Sequence, residues 1–141
     1  MRIKIADNDP EFLSCFMVMR QLRLHLKDQH EFLERVKRQS RLYGYKLVFL
    51  EEGNVKAAAG IRISEFLAWG KIVYIDDLVT SEDARSEGYG KKLLSWIIDY
   101  AKENNCQEVH LDSGVQRFGA HRFYLNNRMD ITSHHFSIKL E

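Results

Sequence analysis

Three apolar runs with a period of two follow one another through the middle of the chain, at residues 46–51, 55–64 and 71–79. Successive side chains of a strand point to opposite faces, so the alternation predicts strands. Glu52-Gly53-Asn54 is a glycine-containing turn between the first two, and Gly70 bends the chain into the third. Strands joined this tightly pair as an antiparallel meander. On both sides the period becomes helical. Phe12, Phe16, Met19, Leu22 and Leu26 form one apolar stripe and predict a helix over residues 11–26, after the turn formers Asp7-Asn8-Asp9-Pro10. Asp28 restarts the pattern with Phe32, Leu33 and Val36, and Gly44 is placed to end that second helix. Leu93, Leu94, Ile97, Ile98 and Ala101 mark a helix over residues 88–104. Residues 2–6, 108–112 and 132–140 alternate as strands, and 117–127 return to a helical period. The order β-α-α-β-β-β-α-β-α-β, with no internal repeat, predicts an α/β (α+β) fold with one mixed, mostly antiparallel sheet flanked by helices.

At 141 residues and 45% hydrophobic content the chain can fill one core, so residues 1–141 are read as a single domain. Its 21 basic and 20 acidic residues give a net charge of +1. That balance provides no strong positive field, so neither nucleic acid nor a membrane is expected as a partner. No run of about 18 apolar residues occurs, and the two cysteines, Cys15 and Cys106, make no disulfide framework or C-x-x-C pair. A soluble, cytoplasmic protein is the expectation. Arg20, Arg23, Lys27, Arg35, Lys37, Arg38 and Arg41 are interrupted by Asp28, Glu31 and Glu34 and read as a solvated mixed-charge face. His134 and His135 fall on opposite faces of an alternating segment, and no metal is expected.

Chemistry is most legible in Arg85-Ser86-Glu87-Gly88-Tyr89-Gly90-Lys91-Lys92, between the end of a strand and the start of a helix. First-turn amides of a helix have no internal partners and carry the positive end of its dipole. The glycines let the backbone approach an anion, and Arg85 and Lys91 add charge, so a diphosphate group is the natural ligand. A third Rossmann glycine is absent, and no Gly-Lys-Ser/Thr closes the loop, which argues against dinucleotides and P-loop nucleotides.

Arg85-Ser86-Glu87-Gly88-Tyr89-Gly90 resembles the R/Q-x-x-G-x-G/A loop of the GNAT superfamily, the acyl-CoA-dependent N-acyltransferases. The resemblance extends upstream through Tyr74-Ile75-Asp76-Asp77-Leu78-Val79. Downstream, the stretch from Ser113 to Tyr124 is similar to the S-G-x-x-R-x-x-A-H-R-F-Y of one subgroup. It implies acetyl-CoA as co-substrate and a primary amine, on a small molecule or a protein, as acceptor. Backbone groups of Leu78, Val79 and Thr80 would meet the pantetheine arm, and Arg85, Ser86, Gly88, Tyr89, Gly90 and Lys91 would wrap the pyrophosphate. Tyr124 would protonate the departing thiolate, and Asp76 or Asp77 would take the amine proton directly or through water. Adjacent strand residues face opposite sides, so only one of the two aspartates is expected to look into a given cleft. Two further expectations follow from the resemblance: a homodimer as a possible assembly, and, as the alternative to an enzyme, a non-catalytic acyl-CoA-binding or regulatory module of the same fold. Past Tyr124 the family often continues to a Gly-Phe pair, where this chain has Arg128-Met129.

Overall fold

The computed structural model describes residues 1–141. Its elements are β1 (Arg2–Ile5), α1 (Asp9–Ser14), α2 (Phe16–Leu22), α3 (Gln29–Tyr43), β2 (Lys46–Glu52), β3 (Asn54–Phe66), β4 (Gly70–Thr80), a 3-10 turn (Glu82–Ala84), α4 (Tyr89–Glu103), β5 (Glu108–Leu111) and α5 (Phe118–Asn126). One sheet runs in the order β1-β2-β3-β4-β5, and its first four strands are antiparallel neighbours. This is the α/β class expected from the order of periods. Met1–His110 form one compact unit and Leu111–Glu141 a second. No helix is long and apolar enough to cross a membrane.

Both faces of the central strands are covered. Tyr45, Leu47, Phe49, Ala58 and Val79 join Cys15, Phe16, Val18, Met19, Phe32 and Val36 of the α1–α3 layer in one buried cluster. Val48 and Leu50 have the opposite phase and are also fully buried, and α4 packs across β2, β3 and β4 with Leu93, Leu94 and Ile97 inward. Double coverage explains why Leu47-Val48-Phe49-Leu50 reads as a continuous apolar run. Each such side chain contributes about 1.5–3 kcal/mol of burial. Burial also pushes the Cys15 thiol up to about 12, so it stays protonated inside the cluster.

Local signals set most helix ends. The Asn8 side chain accepts the Glu11 N–H at 3.0 Å, and Asp28 accepts that of His30 at 3.0 Å. Gly44 closes α3 at φ 73°, a left-handed conformation suited to glycine. Two expectations are corrected. The first helix is not continuous, because the Cys15 N–H bonds to Phe12 O at 3.1 Å in the tighter i−3 pattern, which divides α1 from α2. It also ends at Leu22 rather than Leu26, because Arg23 leaves helical geometry at φ −110°, ψ 81°. The strand expected over residues 132–140 does not form. Its apolar positions Phe136, Ile138 and Leu140 are 91, 85 and 90% exposed, and the segment has no ladder partner.

β1 and α1 are tied together by Glu11, whose carboxylate meets Lys4 Nζ at 2.8 Å and accepts the Asp7 N–H at 3.0 Å. These two donors, Lys4 first, hold its pKa at about 2, against 4.5 for an ordinary glutamate. A depressed folded-state pKa adds stability that is complete above the unfolded value and is lost as pH falls through the folded one. Thermal melts of Glu11→Gln between pH 4.5 and 2 are therefore expected to fall less steeply than those of the parent protein.

Candidate active site

The pairing of β3 with β4 slips once. Gly60 stands opposite Asp77 and Ile61 opposite Ile75, which leaves Asp76 as an extra residue in β4. A bulge of this kind breaks strict alternation and re-aims side chains. Asp76 and Asp77 consequently line the same cavity together with Tyr74, which corrects the expectation that only one aspartate would face it. The cavity is about 410 Å³, and Met19, Arg23, Leu26, Phe32, Arg35 and Val36 also line it. Gly60 allows the arrangement, because a Cβ there would run into the Tyr45 ring and hydroxyl.

Each aspartate is held by its own cation. Arg62 reaches across from β3, with Nε 3.0 and 2.9 Å from the two Asp76 carboxylate oxygens and Nη2 2.7 Å from Oδ2. Gln39 Oε1 accepts from Arg62 Nη2 at 2.6 Å and fixes the guanidinium. Arg23 Nε donates to Asp77 Oδ1 at 2.8 Å and its Nη2 to the Asp76 backbone carbonyl at 2.9 Å, while the Tyr45 hydroxyl donates to Asp77 Oδ2 at 2.9 Å. The aspartate side chains are only 19 and 13% exposed. Burial raises the Asp76 pKa above the usual carboxylate value, with Arg62 opposing. Burial, and then the Asp77 charge, push the Tyr45 phenol well up, so it remains a donor.

β4 leads through the 3-10 turn into α4. Ser86 at φ 69° and Gly88 at φ 83° are both left-handed, and the curl they make ends in a helix whose first turn has no side-chain cap. Lys92 is the first residue whose N–H bonds back, to Gly88 O at 3.1 Å, so the amides of Tyr89, Gly90 and Lys91 are left for a ligand. Nothing lies within 4 Å of where a Gly88 Cβ would be, so it is the left-handed backbone, not crowding, that suits glycine at this position. Arg85 precedes the loop and Lys91 lies in the first turn. This donor set suits a diphosphate, because backbone amides, a helix dipole and flanking cations all favour negative charge. Tyr89 turns its hydroxyl to Glu52 Oε2 at 2.9 Å, which raises its pKa. At the strand end, the Gln107 N–H bonds to Lys71 O at 2.7 Å, placing β5 beside the start of β4. Four residues of β5 against eleven of β4 leave Leu78, Val79 and Thr80 beyond its reach. The chain gathers no group of three or more His, Cys, Asp or Glu side chains able to hold a metal ion.

The profile of the Acetyltransferase (GNAT) family matches residues 10–127. The Bacillus subtilis (strain 168) protein YhdJ, described as an uncharacterized N-acetyltransferase, is 34% identical over 125 residues, 88% of this chain and 87% of its own. The chain belongs to the GNAT acetyltransferase family. It is an acyltransferase, of a family that acts on amines and generally uses acetyl-CoA. Two solved structures show how widely the fold extends. A transcriptional regulator from Bacillus halodurans C-125 superposes with a TM-score of 0.85 at 17% identity, over 99% of each chain. The ribosomal-protein-alanine N-acetyltransferase of Brucella melitensis biovar Abortus 2308 gives 0.84 at 13%, over 99% of this chain and 100% of its own. At such identities the likeness carries the fold alone.

Tyr124 of this acetyltransferase lies on α5 in the unit Leu111–Glu141, half-buried beside Phe123, with ring centroids 5.6 Å apart. Burial raises its pKa, so the phenol carries its proton. In the same unit, His121 Nε2 lies 2.8 Å from Gly114 O and steadies the turn into α5. The sequence reading missed Tyr45, Arg62 and Gln39. A cue for Arg62 was present: a lone arginine inside an apolar strand needs a partner. Arg23 was read as part of a solvated face, and instead binds Asp77 and the β4 backbone.

Removing one member of a partly buried ion pair strands the other charge. Arg62→Met is expected to cost about 2–3 kcal/mol in denaturant unfolding at neutral pH. Adding Asp76→Asn should recover part of that loss, a non-additivity that a double-mutant cycle measures.

Proposed function

We propose that this protein is a cytoplasmic, acetyl-CoA-dependent N-acetyltransferase, with residues 1–141 as one catalytic domain, that transfers acetyl to a primary amine by direct attack. The observation that carries the reading is the pair of partly buried aspartates at the β4 bulge, on the strand that leads directly to the uncapped α4 N-terminus. In this reading, backbone groups of Leu78, Val79 and Thr80 bind the pantetheine arm. Arg85, Ser86, Gly88, Tyr89, Gly90 and Lys91 bind the pyrophosphate.

The amine must lose its ammonium proton before it attacks. Asp76 or Asp77 accepts its proton, directly or through water, and burial at Asp76 favours this by bringing the carboxylate closer in basicity to an amine. The nitrogen then bonds to the thioester carbonyl carbon, with a backbone amide near Val79 polarising the oxygen. When the carbon–sulfur bond breaks, the thiolate takes the Tyr124 proton and leaves as free CoA, and the second proton that the nitrogen loses as the amide forms returns the Tyr124 phenolate to the phenol. The exposed alternating residues Phe136, Ile138 and Leu140 support a homodimer as the working assembly.

Acetyl-CoA at about 100 times its Kd is expected to stabilise the protein by about 2.7 kcal/mol and raise Tm by several degrees, with no shift from NADH or ATP. Tyr124→Phe should lower kcat by about 100-fold or more while calorimetric acetyl-CoA affinity is unchanged. An unchanged kcat removes the role from Tyr124. If Asp76→Asn and Asp77→Asn both leave the pH–rate profile intact, neither aspartate is the base.

A further inference from the structure

The two aspartates of the acceptor cavity are already matched by cations before any amine enters it. Asp76 is matched by Arg62 and Asp77 by Arg23, each through contacts of 2.7–3.0 Å. Arg35 is a third guanidinium, and unlike Arg62 it lines the cavity itself. It lies on α3 in the stripe Phe32, Arg35, Val36 and Gln39, the spacing at which helix side chains share a face. Its only ion pair is with Glu31, one turn earlier, at 3.6 Å and with both side chains about half-exposed. A pair of that kind is worth a few tenths of a kcal/mol and leaves most of the guanidinium fork available. Leu26, Phe32 and Val36 give the same cavity an apolar part of its lining, beside the polar groups of His25, Tyr45 and Tyr74.

We propose that the acceptor is an amino carboxylate: a primary amine and a carboxylate separated by a short apolar carbon chain. This rests on the reading of the cavity as the amine site of an N-acetyltransferase. The amine end goes to Asp76 and Asp77, the carboxylate to Arg35, and the carbon chain to the apolar wall. A monoamine or diamine would bring net positive charge to carboxylates that Arg23 and Arg62 already neutralise, and would leave the Arg35 fork without an anion. A zwitterion adds no net charge and meets complementary groups at both ends. A volume of about 410 Å³ suits a small molecule of this kind.

The test compares butylamine, 1,4-diaminobutane, 4-aminobutanoate and leucine as acceptors, with free-thiol release and acetyl-CoA binding by calorimetry both measured. The expected result is a kcat/KM for at least one amino carboxylate about tenfold or more above both non-carboxylate amines. Arg35→Met should collapse that ratio, mainly through KM, and Arg35→Lys should restore it in part. The ratio compares acceptors on the same protein, so a general folding defect does not move it. Butylamine or the diamine as the better substrate overturns the proposal, as does a ratio that survives Arg35→Met. Acetyl-CoA binding with turnover of neither amino carboxylate also overturns it while leaving the cofactor assignment standing. Absence of both acetyl-CoA binding and turnover sinks the N-acetyltransferase reading itself.

Discussion

Antiparallel pairing keeps two strands in step, and the extra residue Asp76 in β4 is where β3 and β4 fall out of it. Before the bulge, Tyr74 faces the α2–α3 layer and Val73 and Ile75 are buried in the opposite phase. After it, Val79 has joined the α1–α3 cluster, although its odd number would place it with Val73 and Ile75 in a regular strand. The bulge therefore does two things at once. It puts two carboxylates side by side at the cleft, and it returns the strand to the core in time for the turn into α4. Gly60 supplies the room opposite, since any side chain there would displace Tyr45 and with it one of the hydrogen bonds to Asp77.

Placing two like charges at one spot is costly unless each has a partner. Arg62, Arg23 and Tyr45 come from three different segments, so the site forms only when β3, the end of α2 and the residue that leads into β2 are all in place. Ion pairs that are partly buried add little net stability to a fold. Their value here is geometric: the carboxylates are fixed before a ligand arrives, and little reorganisation remains for the binding step.

Much of this architecture could be read from periods alone. The three meander strands, α3 with Asp28 and Gly44 at its ends, and α4 behind its glycine loop all lie within a residue or two of where the apolar spacing puts them. These elements combine a strong pattern with a local start or stop signal. The failures have other causes. The break at Cys15 is a local tightening of the backbone that leaves the apolar period intact, the early exit at Arg23 goes with a tertiary partner, and the strand expected at residues 132–140 has the right pattern with no neighbour to pair with. At the site, the phosphate-type loop was legible because its glycines and cations are contiguous. The aspartate pair was legible as letters but not as geometry, since a bulge depends on how two strands align. Arg62 and Tyr45 are brought to the aspartates from 14 and 32 positions away, and Gln39 to Arg62 from 23, by the meander alone or by α3 packing beside it.

The bulge also bears on how function passes between relatives. In a relative that aligns residue for residue through this stretch but pairs its strands without the extra position, the two acidic letters stand back to back, one in the cleft and the other beneath α4. The same two letters would then be one site residue and one core defect. What is inherited at positions 76 and 77 is the phase of a backbone, and an identical sequence there counts as the same site only where the opposing strand also yields a place for Tyr45.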